Sequence, residues 1–348
     1  MLKQKPCKTM QIPQISVIIP VFNAAPFLQE SIESILNQTF SDFELIILND
    51  KSTDESLEII KKIQSKDNRI IIIDKEQNVG PANLRNEGIS AARGTFIALM
   101  DADDIAIPTR FEKQISVLKD NPEIGVCGTG FTFFGSQKNK TIQHSTHHDA
   151  IKVSFLHSCN IGNPTVMFKK EILGDLKFDN DFVPAEDYDL WSRLLAKTNF
   201  YNIPESLLNY RQHDNNISKT KIDNVNRSVK RVKINQLNAL EINPADPKID
   251  FYLNAVSLQK KLSPQEIIET INASKVLLSQ NEKKGYFNQN LLEKHINKVL
   301  VRTIRNANSF DSVFYKHLSK NEKTLFHKIS LFDRMLLYFK SLFGRLEF

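Results

Sequence analysis

Carboxylates gathered where apolar runs end are the residues of this chain best suited to chemistry. Asp101, Ala102, Asp103 and Asp104 follow directly on the run Thr95–Met100. In extended backbone Asp101 and Asp103 point to the same side. Two carboxylates so spaced suit a hard divalent cation that keeps positions open for phosphate oxygens. The alternative is a loop acid or helix cap, because Asp104 precedes a helical stretch that starts near Pro108. Asp50 ends another apolar run, in Asn49-Asp50-Lys51-Ser52-Thr53-Asp54. It is either part of a turn into a helix capped by Ser52 or an edge carboxylate that accepts a hydrogen bond from a base N–H. Glu186 and Asp187 open a helical stretch, where acids favour the macrodipole.

These residues need elements to position them. Ile15–Val21, Phe43–Leu48, Arg69–Ile73, Thr95–Met100 and Ile124–Phe134 read as buried strands. Between them lie helical patterns: Pro26 to Asn37, a stretch after Ser52 and Glu55 at capping-box spacing, Pro81 to Ala92, and Pro108–Leu118. Such alternation predicts an α/β fold with a mostly parallel central sheet and helices on both faces. Ligands of such sheets sit beyond the C-terminal strand ends. Asn23, Asn49, Asp50, Asp101, Asp103 and Asp104 all fall there. Asn163–Phe168 and Ser206–Arg211 read as further strands and Asp187–Lys197 as a helix, with Trp191 either in the core or serving as a sugar platform. Gly135–Asp149 reads as a polar loop, in which His144, His147 and His148 suit a variable acceptor-side loop better than a metal cluster. From about Ile222 the spacing is helical. The expected domains are 1–218 and 219–348.

The segments SVIIPVFNA (16–24), QTFSDFELIILND (38–50), KSTDES (51–56), NVGPANLRNEGISAARGTFIALMDADD (78–104) and EDYDLW (186–191) occur in order. Together they resemble the nucleotide-sugar glycosyltransferases of family two, which have the GT-A fold, and the resemblance covers about residues 14–218. It implies an inverting enzyme that moves a sugar from a UDP-sugar to a glycan or lipid-linked acceptor in bacterial surface-polysaccharide or lipopolysaccharide synthesis. It also implies roles. Asp50 would recognise uracil, and Pro20, Val21, Phe22 and Asn23 would line the base and ribose. Asp101 and Asp103, flanking Ala102, would hold Mn²⁺ or Mg²⁺ on the diphosphate, with Asp103 the direct ligand. Asp187 would be the catalytic base. Tyr210-Arg211-Gln212-His213 with Ser218 resembles the family's Y-R-x-H…S loop over the diphosphate, which makes His213 a donor contact and a further candidate metal ligand. Arg85, on the helix after Gly80, either adds a cation near the phosphates or is a surface arginine. The family commonly reads D-D-G-S-T-D where this chain has Asn49 and Lys51.

Composition excludes other classes. The chain has 348 residues, 41% apolar and 25% charged, as in folded globular proteins. Its three cysteines, Cys7, Cys127 and Cys159, lack CxxC spacing, so no zinc or redox pair is implied. No glycine-rich loop follows the first strand, which argues against a dinucleotide oxidoreductase or a sugar-1-phosphate nucleotidyltransferase. The non-enzymatic alternative is an inactive glycan- or lipid-surface-binding protein of the same fold, against which the retained acids speak. Residues 1–14 lack the apolar stretch of a secretory signal, and no run reaches the roughly 18 apolar residues of a membrane span. A cytoplasmic protein is expected, peripheral on the inner face of the cell membrane.

Charge supports that last expectation. Residues 219–348 carry 23 Lys and Arg against 12 Asp and Glu, a net of +11, whereas residues 1–218 carry 23 against 28, a net of −5. Leu331, Met335, Phe339, Leu342 and Leu346 recur at helical spacing, widened by Phe332, Leu336 and Phe343. Such a stripe lies in an anionic membrane interface, or packs on the protein's own helices or a second copy in a homo-oligomer. A nucleic-acid partner is not expected.

Overall fold

The computed structural model describes residues 12–136, 139–213, 222–243, 246–257 and 261–343. The chain divides into two compact units, Met1–Ile151 with Cys159–Ser228, and Lys152–Ser158 with Val229–Phe348.

In the first unit, β1 (Ile15–Val21), β2 (Phe43–Asn49), β3 (Ile70–Asp74) and β4 (Phe96–Leu99) alternate with α1 (Ala25–Leu36), α2 (Ser56–Gln64) and α3 (Pro81–Ala91). β1, β2 and β4 are buried apolar runs and β3 a half-buried edge strand, and they pair in parallel in the order β3-β2-β1-β4. In α1 the inward residues Leu28, Ser31, Ile32 and Ile35 form one helical face. Beyond β4 the sheet becomes mixed. β8 (Met167–Lys169) runs antiparallel to β4 and to β6 (Ile124–Gly135). β9 (Asn199–Gln212) is parallel to β6, and β5 (Ile105–Ala106) is antiparallel to β9. β7 (Lys140–Ile142) pairs with β6, and α4 (Arg110–Asp120), α5 (His148–Ser154) and α6 (Glu186–Leu194) complete the elements up to residue 212.

Several differences from expectation have local causes. The stretch 163–168 is not all strand: Asn163–Thr165 form a 3₁₀ turn before β8. Pro164 lacks an N–H and cannot serve a strand paired on both sides. Ser52 and Glu55 form no capping box, since α2 starts at Ser56 with no side-chain cap. Ser52 Oγ instead accepts from the Asn23 amide at 3.0 Å, and Asp54 accepts from the Ala25 and Ser56 amides. β5, β7 and α5 are too short for periodicity to reveal.

From Ile222 onward the described chain is helical: α7 (Ile222–Asn238), α8 (Pro247–Ser257), α9 (Pro264–Lys284), α10 (Gln289–Arg305), α11 (Ser312–Asn321), α12 (Lys323–Lys328) and α13 (Leu331–Phe343). The second unit has its own apolar core, including Tyr252, Ile267, Leu277, Leu292 and Phe314. Val153 and Leu156 belong to that core, which explains why 152–158 groups with it. Among the described residues no helix is long and apolar enough to cross a membrane. The α13 stripe does not pack inward. Leu331, Phe332, Met335, Phe339 and Leu342 are 67, 71, 54, 51 and 55% exposed, and Leu337, outside the expected stripe, is the buried residue. Leu346 and the side chain of Phe343 lie outside the described residues.

Candidate active site

Asp101 and Asp103 stand in the turn after β4, at the C-terminal edge of the parallel strands. Asp101 Oδ1 receives a guanidinium N–H of Arg85 at 3.2 Å, and the same guanidinium bonds Glu186 Oε1 at 2.8 Å. Arg85 lies on α3 and is buried. Arg85, expected near the phosphates, has its charge engaged by these two carboxylates. Its position instead ties the start of α6 to the D-x-D turn. Burial pushes the Asp101 carboxyl above its ordinary pKa, and Asp103 and Glu186 add repulsion that Arg85 opposes.

Asp187 follows Glu186. Burial, then the Glu186 charge, raises its carboxyl to about 6, with Arg85 and the Tyr188 amide acting the other way. The Tyr188 N–H reaches Asp187 Oδ1 at 2.7 Å. A carboxylate with this pKa is mostly ionised near neutrality and basic enough to accept a proton.

Asp103 faces His213, with Oδ2 2.8 Å from Nε2, and His213 stacks on Phe27 with centroids 4.9 Å apart. Arg211 secures the same loop. Its Nε donates to the Asp103 carbonyl at 2.8 Å and its amide to Asp104 Oδ1 at 2.9 Å, while its guanidinium lies over Phe27 and Phe134. Asp104 therefore caps no helix: α4 begins at Arg110 after Thr109. Asp104 is buried, its Oδ2 has no partner among the described residues, and burial beside Asp103 and Asp101 holds its carboxyl well above the ordinary range. Ser218 lies outside the described residues.

Among the described residues no three His, Cys, Asp or Glu side chains are grouped to hold a metal ion by themselves. The donors that converge are the carboxylate of Asp103 and the imidazole of His213, both partly exposed, with Asp101 next to them and held by Arg85. That set fits a cation that completes its shell with phosphate oxygens.

Asp50 lies apart from this cluster, at the end of β2. Its two oxygens accept from the Val79 and Gly80 amides at 2.7 and 2.9 Å, and the residue is 2% exposed. A base N–H would have to share an oxygen already in use. Gly80 adopts φ +83°, open to glycine, and precedes α3. The turn after Asp50 is left-handed at Lys51, φ 56°, although the side chain there is lysine. Asn23, at φ 50°, pins this turn: its Oδ1 accepts from the Thr53 amide at 2.8 Å. Phe22 is 54% exposed beside it, whereas Val21 and Ala102 are buried, so those two expected contacts present little but backbone.

Trp191 is fully buried against Phe168, Phe178 and Phe200, with its indole N–H on Asn163, so it is a core residue. The three histidines do not converge: His144 packs on Phe131, His147 pairs with Tyr201, and His148 Nδ1 accepts from the Phe200 amide. Tyr210, which opens the Y-R-x-H segment, was given no role of its own; its ring packs on Phe131 and Phe133. Burial, and then the charges of Asp101, Asp104, Asp103 and Asp187, raise its pKa. Its parity in β9 was legible, but not which strand would lie opposite.

Comparison with known proteins bears on the family and the fold. The Glycosyl transferase family 2 profile matches residues 16–176. An uncharacterised glycosyltransferase of Haemophilus influenzae is 32% identical over 284 residues, covering 77% of this chain and 84% of the relative. The O-antigen biosynthesis glycosyltransferase WbnJ of Escherichia coli is 34% identical over 213 residues, covering 59% and 82%. The crystal structure of Staphylococcus aureus TarS 1–349 with UDP-GlcNAc superposes with a TM-score of 0.54 at 18% identity, covering 84% of this chain and 90% of TarS 1–349. The fold is therefore GT-A, and the chain belongs to glycosyl transferase family 2 and is a glycosyltransferase.

Proposed function

We propose that this enzyme transfers a sugar from a UDP-sugar to a hydroxyl of a glycan or lipid-linked acceptor, with inversion, in the synthesis of a bacterial surface polysaccharide. The observation that carries this reading is the Arg85 bridge. It joins Asp101 of the D-x-D turn to Glu186, and so fixes Asp187 next to the place where a diphosphate would be held. The names of relatives support the polysaccharide setting, WbnJ among them, and TarS was solved with a UDP-sugar.

In the proposed reaction the acceptor oxygen attacks the anomeric carbon as the bond from that carbon to the UDP oxygen breaks. Asp187 accepts the hydroxyl proton as the new bond forms, and the electron pair leaves with UDP. One base and no covalent nucleophile give a single displacement, hence inversion. Asp103, with His213 and Asp101 beside it, would hold Mn²⁺ or Mg²⁺, which supplies positive charge to the leaving diphosphate. Asp50, Phe22, Asn23 and the backbone of Pro20–Val21 would form the nucleoside end, where Asp50 keeps the Gly80 turn in place. Tyr210 would face the transferred sugar.

We also infer that α13 rests on the cytoplasmic surface of the cell membrane, where a lipid-linked acceptor would be found. Its exposed apolar face and the +11 charge of residues 219–348 support this. Release of UDP across a panel of UDP-sugars, with Mn²⁺ and a lipid-linked acceptor, tests the reaction. One UDP-sugar should stand out; release of GDP from a GDP-sugar instead would overturn the donor reading.

A further inference from the structure

The second unit contains a cavity of about 570 Å³ on one side of α10. Its polar lining is Asn297, Lys298, Arg302, Arg305 and Asn306 of α10, with Lys328 from the end of α12. No acid is among these lining residues. Two acids reach it from outside: Glu293 pairs with Lys328 at 2.9 Å and bonds Asn297, and Asp333 of α13 pairs with Arg305. Among the described residues Lys298 and Arg302 have no acidic partner.

Arg302 lines the cavity and is anchored to α8. One of its terminal nitrogens donates to the Ala255 and Val256 carbonyls at 3.1 and 3.0 Å, at the last turn of α8. Its Nε is buried and has no hydrogen-bond partner among the described residues. Behind it lie more bases. Lys233 is 3% exposed and reaches only as far as Ser257 Oγ, at 3.3 Å. The rings of His157 and His295 are 6.5 Å apart, and among the described residues His157 Nδ1 and His295 Nε2 have no partner. Burial, His157 and the neighbouring cations hold His295 down to about 4, and burial with Arg302 lowers Lys233 to about 8. The carbonyls ending α8 account for some of this charge. They leave the buried Arg302 Nε and the outward Lys298 without a counterpart, and such groups favour an anion.

The kind of anion follows from what adjoins the cavity. Asp333, which holds Arg305, is on α13, whose Leu331, Phe332, Met335, Phe339 and Leu342 are exposed. An ion carried on an apolar tail would satisfy both surfaces together. We propose that this cavity seats the phosphate of an anionic membrane phospholipid, with the apolar face of α13 in the adjoining acyl boundary. This rests on the membrane reading of α13 and turns it from general charge attraction into a defined headgroup site.

Flotation of the full chain with phosphatidylcholine vesicles, with and without phosphatidylglycerol, tests it. Lys298→Glu changes two charge units at the cavity. It should weaken partition onto phosphatidylglycerol vesicles roughly thirty-fold, two steps of about fivefold. Lys283→Glu makes the same change at an exposed site on α9 and should weaken it less than fivefold. Equal losses from the two variants would overturn the site in favour of diffuse attraction. Wild type that fails to float with phosphatidylglycerol would overturn both the site and the docking. Loss with Phe332→Ser and Phe339→Ser together but not with Lys298→Glu would keep the docking and overturn the site. Thermal stabilisation by inorganic phosphate, abolished by Lys298→Glu and without flotation, would identify a soluble phosphate ligand and overturn the lipid. UDP release measured in solution on the same samples should be unchanged, and its absence in wild type would count against the transferase donor reading alone.

Discussion

The two units of this chain start their helices differently. In the first, α1, α2, α3, α4 and α6 begin with no N-cap side chain bonded to its own helix. In the second, Ser263 and Glu266 form a capping box on α9, and Asn288 and Asp311 cap α10 and α11, while the short α12 begins without such a cap. A side-chain cap satisfies one of four orphan amides and contributes about 1 kcal/mol. The first unit forgoes it because the small polar residues near its helix starts do other work. Ser52 and Asn23 pin two loops to each other, and Asp50 holds the Val79 and Gly80 amides. These loops end the parallel strands, and their amides are held by side chains of neighbouring loops, Ala25 and Ser56 by Asp54 among them. One unit places its polar groups for a site, the other for helix stability.

If that contrast is right, substitutions in the first unit should mostly change activity and those in the second mostly stability. The largest effect should come from Asp103→Ala, which should abolish metal-dependent transfer and weaken UDP binding. Wild-type rates with Mn²⁺ in the variant would break the contrast at once. Arg85→Met should be the one site change that also unfolds, because it leaves Asp101 and Glu186 unpaired. A loss of about 3–5 kcal/mol is expected by urea denaturation, as when one member of a buried ion pair is removed. Undiminished stability would mean the bridge is not formed.

In the second unit, Leu337→Ala should cost about 2–5 kcal/mol, while Leu331→Ala should stay within about 0.5 kcal/mol. Equal losses in a monomer would reverse the assignment of the α13 faces, and a loss of dimer with Leu331→Ala would assign the exposed face to a second copy. A smaller effect than that of Leu337→Ala, and of opposite sign, should come from Lys51→Gly. Lysine at φ 56° pays roughly 1–2 kcal/mol that glycine avoids, partly offset by the entropy of an unfolded glycine. The variant should gain on the order of 1 kcal/mol without loss of UDP binding, as a thermal melt and a UDP titration would show.

What could be read from the sequence divides along similar lines. The bounds of β1 and the start of α3 at Pro81 follow from local signals, a β-branched run and a proline after glycine. The antiparallel β8 and the positions of β5 and β9 do not, because pairing across the sheet leaves no local trace. The acids after β2 and β4 could be located, since strand ends are legible. The partners that define their roles could not: Arg85 and Glu186 are 101 residues apart, and His213 and Asp103 are 110 apart. On α13 the period of the apolar residues showed a helix, yet a helix apolar over most of its circumference does not declare which face is covered. Leu337 faces inward and the longer stripe faces out.

The central claim is that Asp187, raised by burial and Glu186, takes the acceptor proton. The measurement that tests it most directly is the pH dependence of kcat/KM for UDP-sugar transfer, in wild type and in Asp187→Asn, with UDP affinity measured alongside. A base must be ionised to act, so the wild-type rate should be low in acid, climb through a limb near pH 6 and level off above it. The variant should bind UDP nearly as well, turn over roughly 10²–10⁴-fold more slowly, and lack that limb. A variant that keeps both the rate and the limb would contradict the assignment of Asp187 as the base.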